Sequence, residues 1–238
     1  MKVIAVIPAR YASSRFPGKP LTDLKGKTMI RRIFEQVRQC REIDEVIIAT
    51  DDGRIRDEAR AFGAPVVMTS PDCTSGTDRV AQAVQDLSAG GVINVQGDQA
   101  VLDPAALSDI AGELRQGCGM VTVAAKAHPD EYNDPNCVKV VCDQKGYALY
   151  FSRAPIPHQR SNAAAGPWKH IGIYGFGRST LERFTSLAPT PLELAESLEQ
   201  LRALESGIPI KVIFASGEFL EINTPQDRER VLGTWAGF

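Results

Sequence analysis

The sequence predicts an α/β protein built on a mainly parallel central sheet with helices on both faces. Three observations carry that expectation. Short, continuously apolar runs such as VIAVIPA read as strands buried on two sides. Amphipathic stretches with helical spacing alternate with them through the first half. Polar and charged residues collect where the strands end, the edge at which open α/β sheets bind ligands.

The elements follow in order. VIAVIPA opens the chain as a strand. MIRRIFEQVRQC places apolar residues at 29, 30, 33, 34 and 37, the stripe of a helix. EVIIATD is the next strand, and GRIRDEARAFGA is a helix ended near Gly63. PVVMT, DRVAQAVQDL and GVINVQ continue the alternation as strand, helix and strand. In the middle, GMVTVAAKA, NCVKVVCD, YALYFSR and HIGIYGF are strand-like runs with little helix between them, so an antiparallel extension is expected there. The chain then returns to a helix over TPLELAESLEQLR, a strand IPIKVIFA and a closing helix TPQDRERVLGTW. Residues 1–238 are read as one domain, with about 120–180 a strand-rich subregion. The segment QRSNAAAGP, 159–167, has the composition of a mobile loop.

Composition narrows the function. Hydrophobic residues make up 43% of 238, enough for a sizeable core. A formal net charge of −2 provides no overall attraction to nucleic acid or to an anionic membrane, so neither is expected as a partner. An anionic ligand must be held by local positive charge. Five cysteines at 40, 73, 118, 137 and 142 form no CxxC pair, and no apolar run has the length of a signal peptide or membrane span. A reduced, cytoplasmic setting is the expectation.

The residues able to do chemistry lie at the strand ends. PARYASSRFPGKPL, 8–21, follows the first strand and carries Arg10, Arg15 and Lys19 among small residues that let backbone N–H groups approach an anion. It has no GxxxxGK spacing followed by Ser or Thr, and no GxGxxG. Phosphate binding or a solvated basic loop are its two readings. ATDD, 49–52, ends the second strand with two acids, Asp51 and Asp52, which read either as contacts to a ribose or base or, for Asp52, as the cap of the helix that follows. Ser75 and Asp78 have capping-box spacing, which leaves Arg79 over for base recognition. Asp98, at the end of GVINVQGD, is either a Mg²⁺ ligand or the acid of an Asx-turn. In INTPQD, Thr224 and Pro225 make a helix start, and Asn223 reads equally as a turn residue. Thr190, Pro191 and Glu193 cap the helix whose core stripe is Leu194, Leu198 and Leu201; Glu196, Glu199 and Gln200 fall off that stripe and read as solvated. His170 is either structural or faces a cleft.

Taken together, PARYASSRFPGKPL, ATDD, SGTDR, NVQGD, NCVKVV, ALYFSRAPIP, KHIGIYGF, SLEQLRALESG and INTPQD resemble, in this order and over nearly the whole chain, the CMP-Kdo synthetase (3-deoxy-manno-octulosonate cytidylyltransferase) family. The resemblance implies a nucleotide-diphospho-sugar transferase-like fold. It also implies CMP transfer from CTP to the anomeric hydroxyl of Kdo, with pyrophosphate leaving, Mg²⁺ as cofactor and no covalent enzyme intermediate. The product would serve lipopolysaccharide or capsule assembly. It assigns Arg10, Arg15 and Lys19 to the triphosphate, with Lys19, Arg15 and Asp98 as the catalytic set. Ser75 and Arg79 select cytosine, with Thr50, Asp51 and Gln96 also against the nucleotide; Arg153, His170, Glu199 and Gln200 hold the sugar acid; Asp98 and position 223 hold the metal. A homodimer is implied, with the middle strands near the interface.

Two departures stand out. The family pattern GDEP reads Gly97-Asp98-Gln99-Ala100 here, and VDTPED reads INTPQD, so a metal-binding Asp is replaced by Asn223. The site is expected to be two negative charges short. Asn223 as a neutral ligand, recruitment of Glu221, or a related sugar acid such as 8-amino-Kdo or a nonulosonate each accommodates the change. A nucleotide-binding protein with reduced turnover is the remaining alternative.

Overall fold

The computed structural model describes residues 1–13, 15–160 and 167–234. Ser14 and most of the expected 159–167 loop lie outside them. The first half folds as its pattern dictates: β1 Val3–Ala9, a small hairpin of β2 Asp23–Leu24 and β3 Lys27–Thr28, α1 Met29–Val37, β4 Glu45–Thr50, α2 Gly53–Ala61, β5 Val66–Met68, α3 Gly76–Val84, β6 Gly91–Asn94, β7 Gln99–Val101 and α4 Pro104–Arg115. The second half adds β8 Met120–Lys126, β9 Lys139–Cys142, β10 Ala148–Ser152, β11 Trp168–Gly177, α5 Arg178–Ser186, α6 Pro191–Glu196, α7 Gln200–Glu205, β12 Lys211–Ala215, β13 Leu220–Glu221 and α8 Pro225–Thr234.

The sheet runs β12-β8-β11-β6-β1-β4-β5. Among the described strands of this run, β11 alone opposes its neighbours, pairing antiparallel with β6 on one edge and β8 on the other. The β9–β10 hairpin joins the start of β11 through Trp168 and Lys169. The expected antiparallel extension is therefore woven into the central sheet: β8 runs with the parallel set, and β11 inserts between β8 and β6.

β1 is buried at every position, and its alternation sorts side chains to two cores. Val3, Ala5 and Ile7 pack under α1, α2, α4 and α8; Ile4 and Val6 pack under α3, α5 and α7. The predicted stripe of α1 is buried throughout, at Met29, Ile30, Ile33, Phe34 and Val37. α4, which the sequence reading does not separate, starts at Asp103, whose side chain accepts from Ala105 N, and Pro104 occupies the first turn.

One helix is corrected. Residues 190–202 form two helices, α6 and α7, because Ser197 takes a left-handed conformation (φ 52°) that ends the first. The break rotates the following stripe. Leu198 and Leu201 enter the core while Leu194 is 68% exposed. Glu193 instead turns inward, its carboxylate 2.5 Å from the Arg202 guanidinium. Burial raises the Glu193 carboxyl, but the Arg202 contacts and the Thr190 N–H outweigh it and hold it below the usual range.

Removing one member of such a buried pair strands the other. Glu193→Ala is expected to lower unfolding free energy by about 3–5 kcal/mol. Urea titration measures this, and a loss below about 1 kcal/mol would place the pair among surface ion pairs.

Candidate active site

The carboxyl ends of β1, β5 and β6 open onto a cleft of about 200 Å³. Its walls are the loop after β1, the N-terminus of α3, the turn after β6, and Asn223 beyond β13. Of the residues singled out from sequence, Arg10, Arg15, Lys19, Ser75, Arg79, Gln96, Asp98 and Asn223 line it.

The β1 loop folds back on itself. Gly18 N donates to Tyr11 O at 2.9 Å, and Gly18 has φ 71°, a conformation that glycine adopts without strain. The Tyr11 ring lies over the space a Gly18 side chain would need, and the Arg54 guanidinium packs 3.3 Å from the ring centroid. This return brings Lys19 Nζ to 3.3 Å from Asp98 Oδ2. Asp98 is thus held by a cation across the cleft, not by an Asx-turn. The turn reaches this position through Gly97, where an added methyl would overlap the Pro8 carbonyl oxygen.

α3 begins with the expected capping box: Ser75 Oγ accepts from Asp78 N, and the Asp78 carboxylate accepts from Ser75 N, both at 3.1 Å. Asp52 likewise caps α2, accepting from Arg54 N at 2.9 Å. Arg79, however, is not left over. It is 4% exposed, its Nη2 donates to Asp51 Oδ2 at 2.8 Å, and its Nη1 donates to Thr69 Oγ1. Arg79 and Asp51 therefore neutralise one another at the cleft floor. Thr50 is fully buried and its hydroxyl accepts from Asp52 N at 3.2 Å, a strand-end role behind the cleft.

The residues assigned by resemblance to a sugar acid do not line this cleft. Arg153 is wrapped by main-chain carbonyls: its Nε donates to Glu196 O at 2.8 Å and its Nη1 to Pro135 O at 3.0 Å. Glu196 is not solvated as its helical position suggests; it accepts from Ser152 Oγ at 2.6 Å and Arg153 N at 3.0 Å. Glu199 and Gln200 also turn inward, beside Thr77, Tyr174 and Phe176. Burial pushes the Glu199 carboxyl up against the lowering effect of Thr77, whose hydroxyl donates to it at 2.7 Å. Asn94 in turn donates to Thr77 Oγ1 at 3.4 Å. Glu199 Oε1 and Gln200 Nε2 have no protein partner. Spacing does not single out Thr77, Asn94 or Tyr174; the signal present is Asn94 itself, an amide inside a fully buried strand.

His170 stands on β11, edge-on to Phe151 at 5.0 Å between ring centroids. Thr122 Oγ1 lies 3.0 Å from its Nε2 and 2.8 Å from Ile173 O. The Thr122 hydroxyl has one proton to share between Nε2 and the carbonyl, and the His170 tautomer decides which of them receives it. Burial pushes His170 down to about 3, which keeps it neutral.

The acidic side of the cleft also differs from expectation. Gln99 is fully buried on β7, and its Nε2 donates to Val101 O at 3.0 Å. It points away from Asp98, so it takes no charge from the cleft rim. Asn223 does face the rim: Arg15 Nη2 donates to its Oδ1 and its Nδ2 donates to Glu221 Oε2, both at 3.3 Å. Desolvation at the rim, then the neighbouring Asp98 carboxylate, push the Glu221 carboxyl above its usual range. Thr224 and Asp227 cap α8 reciprocally, Asp227 N donating to Thr224 Oγ1 at 3.2 Å and Thr224 N to Asp227 Oδ2 at 2.9 Å. Among the described residues no group of three or more His, Cys, Asp or Glu side chains is arranged to hold a metal. The donor set of Asp98, Asn223 and Glu221 is oxygen-only and suits Mg²⁺, which binds through one or two carboxylates together with phosphate oxygens.

A doubly covered, mainly parallel sheet with a basic loop and an acidic rim at its carboxyl edge defines the nucleotidyltransferase class. The chain matches the family model described as Cytidylyltransferase over residues 4–213. It is 45% identical to the 3-deoxy-manno-octulosonate cytidylyltransferase of Syntrophotalea carbinolica, with 97% of each chain covered. It is also 45% identical to that of Myxococcus xanthus, over 97% of this chain and 95% of the relative. The solved structure of CMP:2-keto-3-deoxy-manno-octonic acid synthetase complexed with CTP superposes with a TM-score of 0.94 at 38% identity, covering 98% of both chains. A putative glucose-1-phosphate thymidylyltransferase from Bacillus anthracis, 15% identical with a TM-score of 0.71 over 99% of this chain and 96% of that one, shares the fold alone. The chain belongs to the 3-deoxy-manno-octulosonate cytidylyltransferase family.

Two measurements probe the frame. Gly97→Ala is expected to cost about 1–3 kcal/mol by overpacking. Gly112→Ala, at a helical position with open space around it, is expected to stabilise by about 0.4–1 kcal/mol; urea midpoints report both. His170 titrates lower folded than unfolded, so its contribution is complete above pH about 6.5 and is lost as pH falls toward about 3. Across that window wild-type stability should fall by up to about 1.4 kcal/mol per pH unit more than that of His170→Gln, as read from urea unfolding at successive pH values.

Proposed function

We infer that this protein transfers CMP from CTP to the anomeric hydroxyl of 3-deoxy-manno-octulosonate, releasing pyrophosphate. The observation that carries this is the 0.94 superposition, over 98% of both chains, on a synthetase complexed with CTP, joined to a cleft with cations on one wall and the Asp98 carboxylate opposite.

On this reading Arg10, Arg15 and Lys19, which line the cleft from one loop, take triphosphate oxygens. Their charge stabilises the leaving pyrophosphate more as the bond to the α-phosphorus breaks. Ser75 and the N-terminus of α3, with Arg79 fixed by Asp51, present donors of set position to the nucleotide. Gln96 lies between Gly76 and Gly172 of β11 and on this reading contacts the nucleotide. Glu199, Gln200 and His170 supply hydrogen-bonding groups on the sugar side; two of their polar atoms are buried without protein partners. Arg153 holds the wall formed by 196–197 in place. Mg²⁺, bound by Asp98 and the rim around Asn223, would neutralise the triphosphate and lower the pKa of the attacking hydroxyl.

The protein acts as a homodimer in the cytoplasm, on this reading. Leu149 on β10, 63% exposed, and Leu194 on α6, 68% exposed, are the kind of apolar surface that a second copy covers. Five free thiols suit a reducing compartment. Among the described residues no helix is long and apolar enough to cross a membrane.

Incubation with CTP, Mg²⁺ and 3-deoxy-manno-octulosonate should release pyrophosphate at many times the rate of the sugar-free control. Release only with an 8-amino analogue or a nonulosonate in a parallel panel would reassign the sugar. CTP binding by calorimetry with no release for any sugar acid, across a range of metal concentrations, would contradict a transferase.

A further inference from the structure

Beside Asn223 at the rim of the cleft stands a carboxylate, Glu221. β13 pairs with β7 through Leu220↔Val101 and Glu221↔Gln99, and Ile222 N donates to Asp98 O at 2.9 Å. Ile222 is fully buried. Alternation along the extended chain puts 221 and 223 on the side opposite Ile222; Asn223 lines the cleft, and its Nδ2 reaches Glu221 Oε2. The register shifts between Leu220 and Glu221, an irregularity that re-aims a side chain at the end of a strand.

We propose that Glu221 is the second anionic ligand of the divalent-cation site, supplying beside Asp98 the negative charge that Asn223 lacks. The inference rests on the Mg²⁺-dependent transfer proposed above. Asn223 is matched to this arrangement. Its Nδ2 donates to Glu221 Oε2 while its Oδ1 accepts from Arg15, each at 3.3 Å. An aspartate at 223 has no proton to donate and would repel Glu221. The amide bridges the carboxylate and the guanidinium, and it keeps an oxygen on the rim. Two carboxylates, one amide oxygen and the phosphate oxygens of the nucleotide make the hard, oxygen-only shell that Mg²⁺ takes. The acidic charge of the site is relocated by two residues, and Gln99, buried in the core, plays no part in it.

The alternative is that Glu221 only orients Asn223. Two substitutions separate the roles. Glu221→Gln keeps an oxygen to accept from Asn223 Nδ2 and removes the charge; Glu221→Ala removes both. Mn²⁺ binding to the enzyme with saturating CTP and no sugar is measured by electron paramagnetic resonance, against CTP alone. Glu221→Gln should weaken Mn²⁺ binding about tenfold or more, and Glu221→Gln combined with Asn223→Asp should restore it. Wild-type Mn²⁺ affinity in Glu221→Gln, with loss only in Glu221→Ala, overturns the ligand role. Wild-type enzyme that holds Mn²⁺ no more tightly than CTP alone overturns the metal-dependent function and this inference together.

Discussion

The cleft depends on how closely one turn can lie against one strand end. At Gly97 the backbone passes so near the Pro8 carbonyl that no side chain fits. Because of that approach, Gln96 and Asp98 stand opposite the loop that follows β1, and Lys19 reaches Asp98. The loop is fixed from its own side by Gly18 against Tyr11 and by Arg54 over the Tyr11 ring. β13 is then pinned to the same turn through the Asp98 carbonyl. Two glycines thus bring the basic wall, the acid and the rim together before any ligand arrives, which is the preorganisation that makes charge stabilisation effective.

Around this frame, charges divide into those that are spent and those that are offered. Arg79 and Asp51 neutralise each other on the floor, as do Glu193 and Arg202 between α6 and α7. Lys139, fully buried, spends its ammonium on the carbonyls of Asp134, Cys137 and Arg153 and so closes the wall beside β10. Arg10, Arg15 and Lys19 remain at the mouth. A buried hydrogen-bond path runs from Asn94 on β6 through Thr77 on α3 to Glu199 before α7. Its members are rigid because each lies on a strand or helix terminus, not on a long loop.

Much of the fold was legible because it is local. The burial of β1 on both faces, the stripe of α1 and the caps at Asp52 and Ser75 follow from period and from side-chain acceptors at helix starts. The cations after β1 and Asp98 after β6 were legible because strand carboxyl ends converge in a parallel sheet. The rest depended on non-local facts. Nothing in the run of residues 190–202 shows that Ser197 will turn left-handed, so the outward Leu194 and inward Glu196, Glu199 and Gln200 were misread as a straight helix. Gln99 looks like a lost charge until its full burial and its bond to the Val101 carbonyl are seen. Arg79 looks unpaired until Asp51 arrives from another strand end. The placement of β11 between β8 and β6 is set by tertiary pairing, which no window of sequence contains.

The account turns on where the negative charge of the cleft resides. Anomalous diffraction from Mn²⁺ in crystals grown with CTP measures it directly. The expected result is one peak bonded to oxygens of Asp98, Glu221 and the triphosphate, with the Asn223 side chain beside it. A peak held by Asp98 and phosphates with Glu221 turned to solvent, or one away from Asp98 altogether, would contradict it.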